Sequence, residues 1–356
     1  LSIFLFEDFF MYQFQCDYIA GCHPAVLKAL CETNLEEVPG YAEDKFCKEA
    51  SDMIRAACGG IDADVHFLSG GTQTNLTLIA AALRPHQGVV SASSGHIEAH
   101  ETGAIESTGH KVMTVPEVDG KVTAEALRRL CADYFENEEK VLLVQPGLLY
   151  ISFPTETGTI YSLAELEELA AVCREYGLYC YIDGARLAYG LAASPDVTLK
   201  DIARLADAFY LGGTKCGTLA CEALVIKNPA LKRDFPALMR QRGALLAKGR
   251  LGGVQFAALM KDGLYFEIGK QAVEGAMQLR KAFIEAGCEM EGSSPTNQQF
   301  VRITKAQADV LSKKYRYELC GKTGDGRLIV RFCTAWSTKP EVLEELIADV
   351  GTLRRA

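Results

Sequence analysis

From about residue 62 onward, short apolar runs alternate with stretches of helical periodicity, and this alternation restricts the fold more than any other feature of the sequence. Apolar runs at 65–68, 89–92, 111–115 and 141–144 are each followed by a helical pattern, at 72–84, 97–108, 123–135 and 163–176. Strands separated by helices cannot pair as hairpins. They need crossover connections, which build an α/β fold with a mostly parallel, doubly wound sheet. Another apolar run lies at 178–182, and two further runs, at 208–211 and 223–226, have less helix between them, so the sheet is expected to be completed there.

Beyond the glycine-rich stretch Lys248-Gly-Arg-Leu-Gly-Gly253, helical periodicity covers about 254–286. Strand-like pieces follow at 299–303, 316–319 and 328–332, with a last helix from Pro340. This predicts an N-terminal segment at 1–20, a large domain at 21–245 and a smaller α+β domain at 246–356. Repeats and low-complexity linkers are lacking, so the two domains are expected to pack tightly. The opening Leu-Ser-Ile-Phe-Leu-Phe-Glu-Asp-Phe-Phe holds two acids, no basic region and no clear small-residue cleavage site, unlike a signal peptide. Residues 1–10 are either an extension ahead of Met11 or an extra segment packed on the surface.

A net charge of −9 without any sustained Lys/Arg run argues against a nucleic-acid partner, which needs clustered positive charge. A bilayer crossing needs about 20 consecutive apolar residues and no run approaches that, so no membrane partner is expected. The thirteen cysteines are scattered and form no Cys-x-x-Cys pair, which indicates neither a zinc site nor a disulfide framework and fits a reducing cytoplasm.

Open α/β sheets place ligands outside the carboxyl ends of their strands, and two ionisable residues fall there. Asp183 ends the run at 178–182 and Lys215 follows the run at 208–211 within Gly212-Gly-Thr-Lys-Cys-Gly217. A desolvated lysine in a small-residue setting could be a Schiff-base amine, and the aspartate the partner of a pyridinium nitrogen; a loop lysine and a turn-capping aspartate are the plainer alternatives. Ser69-Gly-Gly-Thr-Gln-Thr-Asn75 puts small residues at a helix N-terminus, where a phosphate is favoured, although it matches neither the Walker A nor the dinucleotide fingerprint. Arg186 could hold a carboxylate bidentately or pair with an acid of its own chain. His96 and His100 have the i, i+4 spacing of a metal pair, but no third ligand is evident, so no metal is expected; either ring could instead stack on a cofactor. Arg331 interrupts an apolar run and either reaches into a cleft or forms a structural ion pair.

Taken together, these motifs resemble the threonine aldolase and β-eliminating lyase family of fold-type I enzymes dependent on pyridoxal 5′-phosphate (PLP). The resemblance runs from about residue 14 to the C-terminus. It rests on Ser69-Gly-Gly-Thr-Gln-Thr-Asn75, Gly95-His-Ile-Glu-Ala-His-Glu-Thr-Gly103, Asp183-Gly-Ala-Arg186, Gly213-Thr-Lys215 and Val330-Arg-Phe-Cys-Thr-Ala-Trp336, in that order. It implies that the large domain binds PLP, that Lys215 carries it, that Asp183 binds the ring nitrogen and that His96 stacks on the ring. Gly71, Thr72 and Gln73 would cradle the phosphate beside Thr214, and Arg186 and Arg331 would grip a substrate carboxylate. Tyr41 resembles a tyrosine supplied to the site of a neighbouring subunit, and Lys248 or Arg250 would reach the phosphate across the same interface. A homodimer or homotetramer with shared active sites is therefore implied.

Two departures stand out. Where the family commonly reads Ser-Asp-Thr, this chain has Cys16-Asp-Tyr18, so Cys16 occupies the place of a serine that contacts the substrate. The stretch Arg242-Gly-Ala-Leu-Leu-Ala-Lys-Gly-Arg250 also differs from the usual pattern. The activity implied is cleavage of the Cα–Cβ bond of a β-hydroxy-L-amino acid such as threonine or allo-threonine, giving glycine and an aldehyde. His96, His100 or a water would be the base. β-Elimination and transamination use the same lysine, aspartate and arginines and remain alternatives, as does, more remotely, an α/β binding protein without PLP.

Overall fold

In the computed structural model, which describes residues 11–355, the alternating runs come together in one central sheet. The segment 1–10 lies outside the described residues. Among the described residues the sheet has seven strands: β1 (Asp64–Leu68), β2 (Gln87–Ala92), β3 (Val112–Val115), β4 (Gln145–Ser152), β5 (Tyr179–Asp183), β6 (Ala208–Gly212) and β7 (Glu222–Ile226). Their order is β1-β7-β6-β5-β4-β2-β3. All pairs are parallel except those of β7, which runs antiparallel between β1 and β6. The carboxyl ends of the parallel strands and the amino end of β7 therefore share one edge. Chain order reverses between β2 and β4, which opens a crevice at that edge.

Strands covered on both faces are expected to be apolar throughout, and β6 and β7 are buried at every position. Alternate residues serve opposite faces. Ile182, Phe209, Leu211 and Val225 join one core cluster with Leu166 and Leu169 of helix Leu163–Tyr176. Tyr181, Tyr210 and Leu224 join another with Leu78 and Ile79 of helix Gly71–Ala82. Each large apolar side chain fully buried in this way contributes roughly 1.5–3 kcal/mol. Helix Leu163–Tyr176 is bounded by its sequence: Ser162 and Glu165 form a capping box, and Gly177, at φ 72°, ends it in the left-handed conformation.

A second sheet is antiparallel: β8 (Glu289–Met290), β9 (Gln298–Ile303), β10 (Glu318–Lys322) and β11 (Leu328–Cys333), in the order β8-β9-β11-β10. It packs on helices Leu264–Glu285 and Pro340–Gly351 through Phe283, Val301, Phe332 and Leu346. Helix Leu264–Glu285 links the two cores, since Tyr265 and Ile268 belong to the large one and Leu279 and Phe283 to this one. The chain start is woven in as well. Tyr12–Gln13 pairs in parallel with Tyr315–Arg316, Phe14 is buried beside Phe332, and Cys333 N donates to Phe14 O at 2.7 Å. This anchoring leads Cys16, Asp17 and Tyr18 toward the sheet edge where the loops converge.

Four expected elements differ. The run 141–144 is not a strand: Lys140–Leu142 is a 3-10 turn, Val141 and Leu142 are 88% and 78% exposed, and the strand is Gln145–Ser152. Pro146-Gly147 reads locally as a turn, but proline is tolerated near a strand start, and the buried run follows it. The helix expected over 97–108 is a short helix, His96–Ala99, and a 3-10 turn, Glu106–Thr108, separated by Thr102 and Gly103 at positive φ. The helix expected over 254–286 begins at Arg250 and breaks after Met260, where Asp262 and Gly263 have φ 53° and 75°. The strand expected over 316–319 is two pieces, Tyr315–Arg316 and Glu318–Lys322.

Beside Asp183 the backbones of β5 and β6 approach so closely that a Cβ on Gly184 would lie 1.9 Å from the carbonyl oxygen of Tyr210. Gly184→Ala should therefore force the strands apart and destabilise by about 1–3 kcal/mol or more. Gly351→Ala, with nothing within 4 Å, should be neutral or stabilise by up to about 1 kcal/mol. Thermal melts of the two variants check this: the first midpoint should fall and the second should hold or rise.

Candidate active site

Loops from five strand ends surround a cavity of about 460 Å³. At its base is Asp183, the last residue of β5 and only 4% exposed. A buried carboxylate must be compensated, and this one receives four donors: Tyr150 OH (2.6 Å) and Asn75 Nδ2 (2.9 Å) on Oδ2, Tyr210 OH (2.5 Å) and Ala185 N (2.9 Å) on Oδ1. Burial opposes its ionisation, but the nearby His96 and these donors outweigh burial and hold the carboxyl below its ordinary value.

The network extends outward. Asn75 also donates to Glu101 Oε1 (2.8 Å) and accepts from Tyr181 OH (2.8 Å). Glu101 Oε1 lies 2.8 Å from His96 Nδ1, so that nitrogen carries the proton. Burial works against charge on His96, yet the bond to Glu101 and the charges of Glu156 and Asp183 raise its pKa above the ordinary value. His100 also lines the cavity, exposed at its mouth, with its ring centroid 5.7 Å from that of His96.

Lys215 lies three residues beyond β6. Only glycines fit its approach: a Cβ on Gly212 would sit 2.2 Å from Ala185 O, and one on Gly213 2.3 Å from Cys221 O. Tyr189 OH fixes the lysine's carbonyl at 2.7 Å, and Lys215 Nζ lies 5.9 Å from the Tyr18 ring centroid. Thr214 and Glu222 line the cavity on this side. Glu222, the first residue of β7 and 3% exposed, accepts from Gly213 N at 2.7 Å. Burial pushes its carboxyl up to about 7, against the bonds from Thr214 and Gly213 and the charge of Lys215.

Gly70, Gly71 and Thr72 line the cavity at the start of helix Gly71–Ala82. No side chain caps this helix, so its first N–H groups are left for an anion. A Cβ on Gly71 would come within 3.0 Å of Tyr210 OH, so glycine here also spares the phenol that bonds Asp183. Gln73 behaves differently from expectation. Its amide oxygen accepts from Ser69 N (3.2 Å) and Ser69 Oγ (2.8 Å), and the side chain braces the loop rather than lining the cavity.

The two arginines are unlike. Arg331, on β11, donates to Gln298 Oε1 (3.2 Å) and Gln15 O (3.1 Å), while its Nε is buried without a partner. Arg186, 8% exposed, already has a carboxylate: Nε and Nη2 donate to Asp17 at 2.7 and 3.0 Å. Asp17 also accepts from Asn297 Nδ2 at 2.9 Å, and Arg186, Lys215 and these bonds overcome burial to keep its carboxyl low. The expectation that Arg186 presents this fork to a ligand is therefore revised, since the neighbouring acid takes it.

Other expected residues lie elsewhere in this chain. Cys16 lines a separate cavity of about 270 Å³ with Met11 and Phe14, whereas Tyr18 lines the main one. Tyr41 is exposed, with the Arg240 guanidinium 5.4 Å from its ring, and Lys248 is exposed; neither lines the cavity. Arg250 donates to Thr33 O (2.5 Å) and Glu36 O (2.6 Å), which ties it to the end of helix Pro24–Thr33. Tyr150, Tyr210, Glu222 and Glu156 were not singled out in the sequence. The tyrosines read there as core aromatics, and only the charge of Glu156 and Glu222 next to strand ends could have marked those two.

The family model described as beta-eliminating lyase matches residues 13–314. The chain belongs to the beta-eliminating lyase family. Among its relatives, the low specificity L-threonine aldolase of Pseudomonas sp. (strain NCIMB 10558) is 27% identical over 97% of this chain and 98% of its own length. A solved structure of Leishmania major threonine aldolase is 43% identical, covers 97% of this chain and 99% of that one, and superposes with a TM-score of 0.91. Thermus thermophilus aspartate aminotransferase, at 14% identity, 96% and 91% coverage and a TM-score of 0.70, shares the fold.

Beta-eliminating lyases of this kind depend on PLP, and the cavity fits it. An anionic carboxylate for a ring nitrogen, an uncapped helix start for a phosphate, a lysine for the aldehyde carbon and the arginine Arg331 all line one space. Among the described residues, no cluster of three or more His, Cys, Asp or Glu could hold a metal ion.

Two consequences of these charges are measurable. Asp17→Ala in this lyase would leave Arg186 buried without its counter-charge and should cost about 3–5 kcal/mol, read as a lower urea midpoint. Glu222 carries the opposite sign. Its folded value is raised from 4.5 to about 7, so the native chain keeps a proton that the unfolded chain has lost, and stability falls as pH rises across that window. Glu222→Gln should flatten this dependence and stabilise by on the order of 1–3 kcal/mol at pH 8, with little effect at pH 4, in chemical melts across pH.

Proposed function

We propose that this chain is a PLP-dependent carbon–carbon lyase that cleaves a β-hydroxy-L-amino acid, L-threonine or L-allo-threonine, to glycine and an aldehyde. The observation that carries this reading is the meeting of Lys215, the ionised Asp183 and Arg331 around one cavity, in a chain whose relatives are threonine aldolases over nearly their whole length. PLP, when bound, takes up the electron pair of the breaking bond.

The chain's own groups determine which bond that is. Lys215 would hold the cofactor through Nζ, and Asp183, kept ionised by its four donors, would pair with the ring nitrogen. The N–H groups at Gly71 and Thr72 would hold the phosphate, with His96 beside the ring. Arg331 would receive the substrate carboxylate, and Arg186, braced by Asp17, shapes the wall beside it. Fixing the carboxylate would fix the rotation about Cα and so select which of its bonds breaks.

The active unit is a homodimer or homotetramer in the cytoplasm. Tyr41 and Lys248, exposed and outside their own cavity, are the residues it would lend to a neighbouring site. The thirteen cysteines are all free, as a reducing compartment requires, and among the described residues no helix is long and apolar enough to cross a membrane. Incubation with threonine should release glycine and acetaldehyde; pyruvate or an oxo acid instead would assign another reaction of the same family. Lys215→Ala should lose the visible absorbance of bound PLP and nearly all turnover, and retention of both would refute the role given to Lys215.

A further inference from the structure

We propose that Glu156 is the base that takes the β-hydroxyl proton of the substrate. This rests on the aldolase reading above. Glu156 lies four residues beyond β4, at the crevice where chain order reverses, and lines the cavity with Lys215, Arg331, His96 and His100. Its loop is held firmly. Thr155 N donates to Thr159 O (2.9 Å), Thr159 Oγ1 to Asp119 O (2.6 Å), and a Cβ on Gly158 would strike Ser294 Oγ at 2.3 Å. Among the described residues its hydrogen-bond partner is Ser152, whose Oγ donates to Oε1 at 3.2 Å, and it forms no ion pair, although three cationic side chains, Arg186, Lys215 and Arg331, share the cavity. A half-buried carboxylate left unpaired among cations is available for a ligand.

The alternatives are already committed. His96 gives Nδ1 to Glu101, and that bond, with the charges of Glu156 and Asp183, moves its pKa upward, which disfavours it as a proton acceptor. His100 is exposed at the mouth. Asp183 has its four donors, Glu318 lies 3.9 Å from Arg331, and Glu222 is buried on the Lys215 side. With the substrate carboxylate on Arg331 and its amine at Lys215, Glu156 meets the third substituent of Cα. The carboxylate accepts the hydroxyl proton, the O–H electron pair becomes the second bond of the aldehyde, and the Cα–Cβ pair stays with Cα. Cα then takes up a proton to complete glycine, and Glu156 returns its proton to water, so no oxidant or reductant is needed. Ser152 Oγ also lies 3.2 Å from the oxygen of Tyr150, whose hydroxyl bonds Asp183.

The test compares wild type, Glu156→Gln and Glu156→Asp as holoenzymes by three readouts. These are threonine cleavage, absorbance of bound PLP in a cofactor titration, and exchange of the glycine α-proton in deuterated water followed by NMR. Exchange needs the amine, the carboxylate and Cα but no β-hydroxyl. Glu156→Gln should lower kcat for cleavage by about 10²–10⁴-fold, with KM, PLP affinity and glycine exchange changed only a few-fold. Glu156→Asp should fall between. Unchanged PLP absorbance also reports that the variant is folded. Cleavage at the wild-type rate would overturn the assignment, and so would exchange falling in step with cleavage, which would mark Glu156 as a group that positions the cofactor. A wild type that neither binds PLP nor exchanges glycine would instead remove the aldolase reading, and this assignment with it.

Discussion

Asp183 has to stay ionised where water does not reach it, and much of the surrounding sequence answers that requirement. Tyr150 from β4, Tyr210 from β6, Asn75 from the first helical turns after β1 and the Ala185 amide saturate its two oxygens. A carboxylate accepts about four hydrogen bonds, so every lone pair is used within the chain. A ring N–H would then have to share, and Tyr150 is the donor that can give way, because its hydroxyl also lies 3.2 Å from Ser152 Oγ. The same cage couples distant parts of the site. Asn75 joins Asp183 to Glu101 and so to His96, and Gly71 is small where Tyr210 needs space.

A second buried charge ties the chain's start to this centre. The Asp17–Arg186 pair joins the segment after Phe14, anchored on the second sheet, to the turn after β5 on the first. Asn297, just ahead of β9, completes it. A buried pair of this kind is weak evidence of net stability but strongly constrains position, since neither partner tolerates loss of the other. It fixes where Tyr18 lies relative to Lys215.

Much of this was legible in the sequence. The strand-helix alternation predicted the α/β sheet because parallel strands buried on both faces leave continuous apolar runs, and Asp183 and Lys215 were conspicuous because charge so rarely ends such runs. The failures were local. The run 141–144 is as apolar as a strand yet lies exposed, and Pro146-Gly147 concealed the true strand start. The helix expected through 108 ends at Ala99, and the turn that follows places Glu101 against His96 and Asn75. Tyr150 and Tyr210 could not be told from core aromatics, because period and composition record burial and not where a hydroxyl points. Gln73, Arg186 and Arg250 were read by type, and side-chain partners that only the fold brings near decided their places.

Two carboxylates in this cavity show how environment and not residue type assigns a role. Asp183 and Glu222 are both almost wholly buried at the same sheet edge. Asp183 has four donors and the His96 ring nearby, and burial loses. Glu222 has the Gly213 amide and Thr214, with Asp183 adding repulsion, and burial wins. The charge of Glu222 beside Lys215 can thus be absent near neutral pH, while Asp17 and Asp183 keep theirs. The antiparallel β7 makes this arrangement possible, because only a strand running against the others brings its first residue to the edge where the parallel strands end.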